Sequence, residues 1–246
     1  MFSFLKSHPF AIEAYFDRSA VLTFTIAKKE LRSLIPECLE LDVFDDKWAF
    51  IAVAMVQTKG LRPKGFPKLF GSDFILIGYR VFVVYRNSSG RNMRGLYILR
   101  SETDGKRMKF FGNVFTHYNY DVVDISRSVD GNKETIKSAA TGFEVSTESA
   151  GDKVSLPPLS PFADWKRARR YSGPLPFTFT FDRKHKRVLI IEGVRQNWHP
   201  RPLTVTSYKI PYLEEIGLAD AKLAAAFEVR DIPYWWKKGR FDPWTT

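Results

Sequence analysis

The amino-acid sequence predicts a domain of the α+β class that is mostly β, with its strands closed into a barrel. About a dozen segments rich in β-branched and aromatic residues, which favour strands, are separated by turn residues. Three short segments have the periodicity of amphipathic helices. Because several strands are strongly aromatic or apolar on both faces, we expect a closed or partly closed antiparallel barrel with the helices on its flanks.

The N-terminal part alternates β-forming runs with turn and helix signals. The cluster Asp17-Arg18-Ser19 is typical of a turn, and Leu31, Leu34 and Ile35 have helical spacing before Pro36. The predicted elements are, in order, a strand Pro9–Phe16, a turn at 17–19, a strand Ala20–Ile26, a helix Ala27–Ile35 and a strand Leu39–Val43.

The central part is the richest in β formers. The nearly apolar run Trp48–Gln57 predicts a strand buried on both faces. Residues 59–72 contain three glycines and two prolines and predict a long loop, of the kind that often acts as a lid or binding loop. Strands are expected over about 74–86, 95–103 and 107–117, with turns at 87–92 and at Asp104-Gly105.

The C-terminal part continues with short strands and two helices. No internal repeat is present, and too few strands follow the loop Ser149–Pro161 to form a separate sheet, so we predict a single domain over residues 1–246. The predicted elements are strands at 122–127, 134–138 and 142–147, a helix Phe162–Tyr171 stopped by Ser172-Gly173-Pro174, strands at 177–182, 187–192 and 203–209, a mostly helical segment Tyr212–Phe227, and a strand Val229–Tyr234.

The composition limits which classes of partner and which cellular compartment fit the chain. The chain has 38 Lys and Arg against 27 Asp and Glu, and this formal charge of +11 fits a soluble protein with solvated lysine-rich faces or, as the alternative, an anionic partner. The single cysteine, Cys38, excludes an intrachain disulfide and fits a reducing compartment. No signal-peptide pattern is present, and the longest apolar run, Ala49–Val56, is far shorter than the roughly 20 residues of a membrane span. We therefore expect a cytoplasmic protein with no membrane span.

Several short segments, spread over most of the chain, carry a family resemblance through their order and spacing. Leu31–Asp42 combines a helix, a proline and a strand, and the pattern continues at Ala54-Met55, Thr58, Gly60-Leu61, Gly95 and Tyr97. These segments resemble acetoacetate decarboxylases and their relatives. The segments 173–179 and 192–201 are similar to an uncharacterised bacterial branch of that superfamily, a domain of unknown function, rather than to the decarboxylases themselves.

The resemblance implies a cone-shaped antiparallel barrel of about seven strands with the reaction centre inside it. In the decarboxylases a lysine attacks a ketone to form a Schiff base, and two glutamates and an arginine line the same cavity. Carried over residue by residue, the lysine pair falls on Tyr120-Asp121, the glutamates fall on Leu76 and Ile51, and the arginine matches Arg18 within one residue. The resemblance therefore implies the scaffold of these enzymes with the Schiff-base lysine absent.

Polar residues around the position of the family's lysine are the candidate catalytic group. We assign His117 and Tyr120 as catalytic and Tyr118 as ligand-binding, because a histidine with a pKa of about 6.5 can act as a general acid or base. The alternative for His117 is a strand-end histidine bonded to the backbone. Lys109, which strand alternation would turn inward, is an alternative source of Schiff-base chemistry.

Two arginines are candidate ligand-binding residues because of their setting. Arg80 lies inside an apolar run, where a buried charge needs a partner, and its guanidinium can hold a ligand carboxylate in bidentate fashion. The alternatives are an outward-facing arginine and an internal ion pair with Glu102. Arg18 is a candidate because the resemblance places the family's arginine there.

Two further ligand-binding candidates come from the resemblance. Tyr97 follows Gly95 on a strand of the matched pattern, and Arg195 belongs with Glu192 and Trp198 to the branch signature. The alternative for this last group is a structural salt bridge with a tryptophan packed over it, because such networks also gather charges without catalysis.

The sequence contains no pattern that predicts a metal or a cofactor. None of the four histidines has metal-ligand spacing with another histidine or an acidic residue. A Gly-x-Ser-x-Gly elbow, a phosphate loop and a dinucleotide fingerprint are all absent from the sequence. We therefore expect neither a metal nor a cofactor.

The first functional hypothesis is a protein that binds or transforms a small organic acid or ketone inside the barrel. Such a role calls for an interior cavity of about 300 Å³ or more. The alternative is a basic-surface binding protein for nucleic acid or anionic lipid, because residues 160–210 hold 11 Lys and Arg against 3 Asp and Glu.

The absence of a recognised nucleic-acid motif disfavours nucleic acid as the partner. The aromatic tail Trp235–Trp244 is a candidate interface of a homo-oligomer.

Overall fold

Fourteen strands and four short helices make up the part of the chain that the computed structural model describes, residues 5–149, 155–171 and 175–244. The fold is mostly β, as predicted. In chain order the elements are β1 (Ile12–Ala27), α1 (Lys28–Leu31), β2 (Glu40–Leu41), β3 (Trp48–Pro63), β4 (Ser72–Arg86), β5 (Asn92–Thr103), α2 (Lys106–Phe115), β6 (Tyr120–Val122), β7 (Ile125–Asp130), β8 (Lys133–Ser138), β9 (Phe143–Ser149), α3 (Trp165–Ala168), β10 (Phe177–Asp182), β11 (Arg187–Arg195), β12 (Arg201–Lys209), α4 (Pro211–Glu215), β13 (Lys222–Trp236) and β14 (Arg240–Pro243).

Seven of these strands pair into a closed ring. β13, β1, β3, β4 and β5 follow one another in antiparallel pairs. β10 then joins β5 in parallel, β11 joins β10, and the end of β13 returns to β11. The strand number agrees with the resemblance, whereas the parallel pair makes the ring mixed rather than wholly antiparallel. The chain leaves β5 and returns to β10 through a long excursion, which is the kind of connection that parallel neighbours need.

A second group of strands extends the sheet beyond the ring. β12 pairs with β13 at Arg201 and Pro202, and β9, β8 and β7 follow in antiparallel order. Apolar residues from this extension, including Phe143 and Val145, belong to the same buried cluster as Ile77 and Tyr79 of β4. The extension is therefore joined to the ring by side-chain packing as well as by hydrogen bonds.

The long strands bury both faces, as β3 demonstrates. Ile51, Val53 and Met55 belong to one apolar cluster, and the alternating residues Phe50, Ala52, Ala54 and Val56 belong to another. The prediction of a strand buried on both faces over Trp48–Gln57 is confirmed. The strand continues to Pro63, so the predicted loop 59–72 is reduced to a shorter segment that contains a 3₁₀ turn at Lys68–Phe70.

The predicted turn at 17–19 is wrong, because β1 runs through it as one strand. Opposite β3, the register shifts between Phe16 and Arg18, so Asp17 is the extra residue of a β-bulge. A bulge accommodates this polar cluster without ending the strand. The sequence signal for a turn was therefore a signal for a local irregularity inside a strand.

The predicted strand 107–117 is also wrong, since residues 106–115 form the helix α2. Met108 and Gly112, one helical turn apart, are buried, while Phe110 and Phe111 are exposed. The neighbouring phenylalanines favour a strand by propensity, but the buried face has the spacing of a helix.

The segment predicted as helical over Tyr212–Phe227 is a short helix followed by a strand. α4 ends at Glu215, and Ala224, Ala225 and Ala226 lie within β13 opposite β1. All three alanines are buried, and small side chains suit a strand that is enclosed on both faces. Packing therefore overrides the helical preference of alanine.

Other sequence predictions hold with shifted ends. The helices predicted over Ala27–Ile35 and Phe162–Tyr171 are present as one helical turn each followed by a 3₁₀ turn, and the predicted strands at 74–86, 95–103, 134–138, 177–182 and 203–209 are all present. Part of the predicted loop Ser149–Pro161 and the predicted stop at 172–174 lie outside the described residues.

We predict that Gly95→Ala destabilises the fold by about 1–3 kcal/mol through overpacking at the ring closure. Gly95 of β5 lies opposite Phe177 of β10, and a Cβ at position 95 would collide with the Phe179 ring and the Phe177 carbonyl oxygen. Urea denaturation followed by tryptophan fluorescence measures the free energy of unfolding. An unchanged denaturation midpoint would contradict this account of the closure.

Candidate functional site

A largely enclosed cavity of about 80 Å³ lies within the ring. Every ring strand except β11 contributes to its wall, and the wall is completed by α2, β6 and Leu175. Its lining is mostly apolar, and its polar members are few. The lining residues are Phe16, Ser19, Val56, Thr58, Leu61, Phe74, Leu76, Arg80, Leu96, Ile98, Ser101, Met108, Tyr118, Tyr120, Leu175, Thr178, Tyr234 and Trp236. This volume is below the 300 Å³ or more that the hypothesis of a ligand inside the barrel called for, so the expected cavity size is wrong; we call this space the inner cavity.

Among the described residues that line the inner cavity, Arg80 is the only Lys or Arg. It lies on β4 beside a β-bulge of β5, where the register shifts between Tyr79↔Arg100 and Arg80↔Ile98. Its guanidinium packs over Gly78, since a Cβ there would lie 3.0 Å from Nε of Arg80. The bulge and the glycine together make room for a long charged side chain inside the ring.

No hydrogen bond or ion pair is formed by Arg80 with any described residue. Burial lowers the pKa of its guanidinium, and the titratable side chains next to it are the phenols of Tyr234, Tyr120 and Tyr118. An arginine remains protonated even so. Glu102, the alternative partner, contacts Arg100 and the Tyr79 hydroxyl instead. The predicted Arg80–Glu102 pair is therefore wrong.

Three tyrosines face the same space as Arg80. The Tyr118 hydroxyl lies 2.6 Å from Oγ1 of Thr178, and the Tyr118 and Tyr120 rings are 6.3 Å apart. The Tyr234 ring stacks on Phe16 at 4.8 Å. Burial raises the pKa of all three phenols, so they stay neutral and can donate hydrogen bonds at neutral pH.

Tyr120 is held in place by an amide clamp from α2. The Asn113 side chain donates to the Tyr120 carbonyl oxygen at 2.8 Å and accepts from the Tyr120 backbone N–H at 2.8 Å. β6 also pairs with β5, so Tyr120 lies opposite Ser101, another lining residue. The position of the Tyr120 ring is thus fixed by two elements rather than by a free loop.

The resemblance assigns four positions to the family's lysine, two glutamates and arginine, and two of these positions line the inner cavity. Tyr120 and Leu76, on which the family's lysine and one glutamate fall, both line the inner cavity. Ile51 belongs to the apolar cluster on the other face of β3, and Arg18 lies outside the cavity.

Arg18 is part of a buried ion network that joins the ring to the extension. Its guanidinium contacts Glu228 of β13 at 2.7 Å and Glu134 of β8 at 2.8 Å. Burial alone would raise the pKa of Glu228, but hydrogen bonds and charge from Arg18 and Arg230 hold that pKa below its usual value. Arg18 is thus neutralised by protein carboxylates and is not brought into the cavity.

The other sequence-predicted residues also lie outside the inner cavity. Tyr97 lies between Leu96 and Ile98 on β5, so alternation turns it to the opposite face, towards Cys38. Arg195 stacks on the Trp198 ring at 4.7 Å, and Glu192 pairs with Lys237 rather than with Arg195. Tyr97 packs against the apolar core, and Arg195 and Glu192 contact other side chains outside the cavity.

His117 directly follows the α2 segment and has an exposed side chain. Partial packing of the imidazole and the nearby Lys6 lower its pKa. Tyr118, the next residue, faces the cavity, so the structure brings together Arg80, Tyr118 and Tyr120 and leaves His117 aside.

Sequence reasoning missed Thr178, Tyr234 and Trp236 as lining residues. Thr178 was detectable in principle, because the alternation Phe-Thr-Phe-Thr-Phe marks one face of β10 as polar, and that face turns inward at position 178. Tyr234 and Trp236 gave no comparable signal, since their role depends on where β13 closes the ring.

Most of the positive charges of the basic region 160–210 lie in two separate short segments, one at α3 and one at the β10–β11 turn. Lys166 and Arg167 are exposed on α3, whereas Arg183 and Arg187 near the β10–β11 turn pair with Glu37 at 2.7 Å and Asp182 at 2.9 Å. In the described part of the chain, no group of three or more His, Cys, Asp or Glu could hold a metal ion. None of the described helices is long and apolar enough to cross a membrane.

The aromatic tail folds against its own chain. Trp236 lines the inner cavity, Trp235 lies under the Lys64 ammonium at 4.8 Å, and Trp244 packs against Phe181 at 5.1 Å. These contacts account for much of the aromatic surface on which the expectation of an oligomer interface rested.

A comparison with known protein families identifies the family of the chain. Residues 14–230 match DUF2071, described as an uncharacterized conserved protein. The chain belongs to the DUF2071 family. No curated protein sequence matches it.

Solved structures agree with the resemblance to an acetoacetate decarboxylase-like superfamily. An acetoacetate decarboxylase from Legionella pneumophila matches with a TM-score of 0.64 and 9% identity, over 95% of this chain and 88% of that one. The enduracididine biosynthesis enzyme MppR complexed with pyruvate matches with a TM-score of 0.60 and 10% identity, over 95% and 90%. An acetoacetate decarboxylase-like enzyme from Sphingomonas wittichii matches with a TM-score of 0.50 and 13% identity, over 96% and 92%. At such identities the likeness concerns the fold alone.

We predict that Glu228→Gln lowers the free energy of unfolding by about 3 kcal/mol at neutral pH, because it leaves the buried Arg18 short of a charged partner. Because the pKa of Glu228 is lower in the folded state, its stabilisation is present above its usual pKa of 4.5 and is lost as the pH falls through the lowered value. The difference between variant and wild type should therefore shrink in acid.

Urea denaturation at several pH values measures this difference. The control is Glu144→Gln on the exposed side of β9, which should change the free energy of unfolding by less than about 0.5 kcal/mol. A destabilisation by Glu228→Gln that is the same at every pH would contradict the ion-pair account.

Proposed function

We propose that the chain binds a small organic acid or ketone in the inner cavity, with Arg80 holding the acid and without a Schiff-base lysine. The observation that carries the proposal is the state of Arg80, which is enclosed by the ring and has no acidic partner among the described residues. A buried cation without a partner is costly, and a carboxylate in bidentate contact with the guanidinium removes that cost.

The tyrosines extend the proposal from an anion to an oxo acid. Their neutral hydroxyls lie around the same space and can donate to a ketone oxygen while Arg80 holds the carboxylate. Hydrogen bonds of this kind stabilise negative charge that develops on the oxygen, as in an enolate. Tyr118 is the best placed of the three for such a role, because Thr178 orients its hydroxyl.

The size of the cavity limits the ligand, or the part of it that reaches Arg80, to a few heavy atoms. A volume of 80 Å³ corresponds to roughly six water-sized groups. Pyruvate is of this size, and MppR, whose fold is similar, was solved in complex with pyruvate. This makes pyruvate a suitable first probe.

Two observations support the absence of a Schiff-base lysine. The position of the family's lysine holds Tyr120, which lines the inner cavity. Lys109, the alternative from sequence, is exposed on α2 with its ammonium 3.8 Å from Asp121. Imine formation needs a neutral amine, which burial beside another cation would favour and an exposed site beside a carboxylate does not.

We predict that Arg80→Gln raises the Kd for pyruvate at least about 10-fold, because each hydrogen bond to a charged group contributes about 1.5–3 kcal/mol. Trp236 lines the cavity, so its fluorescence and calorimetry both report binding. The matched control is Arg195→Gln, which removes an arginine outside the cavity and should leave Kd unchanged. Equal Kd values for Arg80→Gln and wild type would overturn the proposal.

We predict that borohydride treatment with pyruvate leaves the intact mass of the protein unchanged. Reduction traps an imine only where a lysine amine has condensed with the ketone. A covalent adduct would show a Schiff-base lysine and contradict this part of the proposal, and peptide mapping would then identify the lysine.

A further inference from the structure

A wider apolar pocket opens beside the inner cavity, and we call it the vestibule. Its volume is about 320 Å³, and it lies between α2 on one side and the end of β3 with the segment 64–71 on the other. Its lining residues are Phe10, Ile12, Leu61, Arg62, Pro63, Phe66, Phe70, Ser72, Arg107, Met108, Phe111 and Phe115.

The vestibule carries an unusual amount of exposed aromatic surface. Phe66 and Phe70 are each 55% exposed and Phe111 is 47% exposed. The lining contains two basic residues, Arg62 and Arg107. The Arg62 guanidinium pairs with the Glu13 carboxylate at 2.6 Å. Exposed apolar patches of this kind are typical of binding sites. The walls suit an apolar group rather than a charged one.

The vestibule and the inner cavity adjoin each other. Leu61 and Met108 line both of them. A third space of about 70 Å³ shares Tyr118, Tyr120 and Trp236 with the inner cavity and Ile12, Phe111 and Phe115 with the vestibule. A single molecule can therefore reach from Arg80 to the surface.

The third space, which adjoins both the vestibule and the inner cavity, offers no charge to a ligand that passes through it. His8 is its titratable histidine, and burial lowers the pKa of this side chain to about 4, so the imidazole is neutral at pH 7. The rest of its lining is aromatic, aliphatic or hydroxyl-bearing. The path thus leads from the Arg80 guanidinium, past the neutral groups of the third space, to the apolar vestibule.

We infer that the ligand is a monocarboxylic acid with an apolar tail, an acyl chain or an aryl group, whose carboxylate binds Arg80 and whose tail fills the vestibule. This inference rests on the proposed function, since it takes Arg80 as the carboxylate site. It adds the class of acid, because the inner cavity alone holds a few heavy atoms while the adjoining vestibule has four times that volume.

The test is a series of straight-chain acids from acetate to decanoate, with the alcohols of the same lengths, titrated by calorimetry. Each buried CH₂ contributes about 0.8 kcal/mol, so Kd should fall up to about 4-fold per added carbon once the tail passes the inner cavity. The alcohols should bind far more weakly than the acids, and Arg80→Gln should abolish the difference between them.

Two variants separate a bridging ligand from non-specific apolar binding. Ile12→Trp narrows the third space, because Ile12 lines that space and the vestibule but not the inner cavity, and it should flatten the gain with chain length while acetate and pyruvate still bind. Phe70→Ser should weaken the long acids and spare the short ones. Its matched control is Leu69→Ser, which removes a side chain that is 88% exposed but does not line the vestibule, and it should change nothing.

The outcomes are distinguishable. Arg80-dependent binding of short acids with no gain from longer chains overturns this inference and leaves the proposed function standing. Tight binding of long alcohols that ignores Arg80→Gln overturns the bridging geometry. No binding of any acid overturns both proposals. A flat chain-length profile, with a dimer by sedimentation that Phe70→Ser dissociates, assigns the vestibule to a second copy of the chain and also overturns the inference.

Discussion

Closure of the seven-strand ring is the constraint on which the rest of the structure depends. The strands from β13 to β5 would form an open antiparallel sheet, and the parallel pair β5–β10 and the short pair β11–β13 turn that sheet into an enclosure. The closure requires Gly95, where the backbone of β10 approaches too closely for a side chain. It also brings Thr178 and Tyr234 to the inside, although both come from the last third of the chain. Without the closure there is no inner cavity.

Two arginines, the buried Arg18 and the half-buried Arg80, illustrate how differently the fold treats the same side chain. Arg18 is matched by Glu134 and Glu228, so its charge is neutralised inside the protein and it joins the ring to the extension. Arg80 is surrounded by neutral phenols and by apolar residues and has no acidic partner among the described residues. The first arrangement stabilises a structure. The second leaves a cation without an acidic partner among the described residues, and the proposed ligand site rests on this.

The chain shares its scaffold with acetoacetate decarboxylase-like proteins, but the polar groups of its cavity are its own. Where the resemblance places lysine, the cavity has Tyr120, clamped by Asn113 of α2, and where it places a glutamate the cavity has Leu76. No Asp or Glu lies among the described residues that line the inner cavity. Fold likeness alone says little about chemistry, because unrelated activities recur on one scaffold.

The sequence was sufficient for those features that depend on local composition. The β-rich class, the strand buried on both faces over Trp48–Gln57, and the short helices followed by proline or glycine all follow from propensity and periodicity over neighbouring residues. Arg80, Tyr118 and Tyr120 were also found from sequence, the first as a charge in an apolar run and the others from the family position.

Tertiary structure decided the features that depend on distant neighbours. The aromatic run in α2 became a helix because Met108 and Gly112 pack on Tyr120, and Ala224–Ala226 became a strand because β1 and the core enclose them. Which arginine is neutralised by carboxylates and which has no acidic partner among the described residues also could not be read locally. That choice depends on Glu134 and Glu228, which lie more than a hundred residues from Arg18 along the chain and reach it only when β8 and β13 fold against the ring.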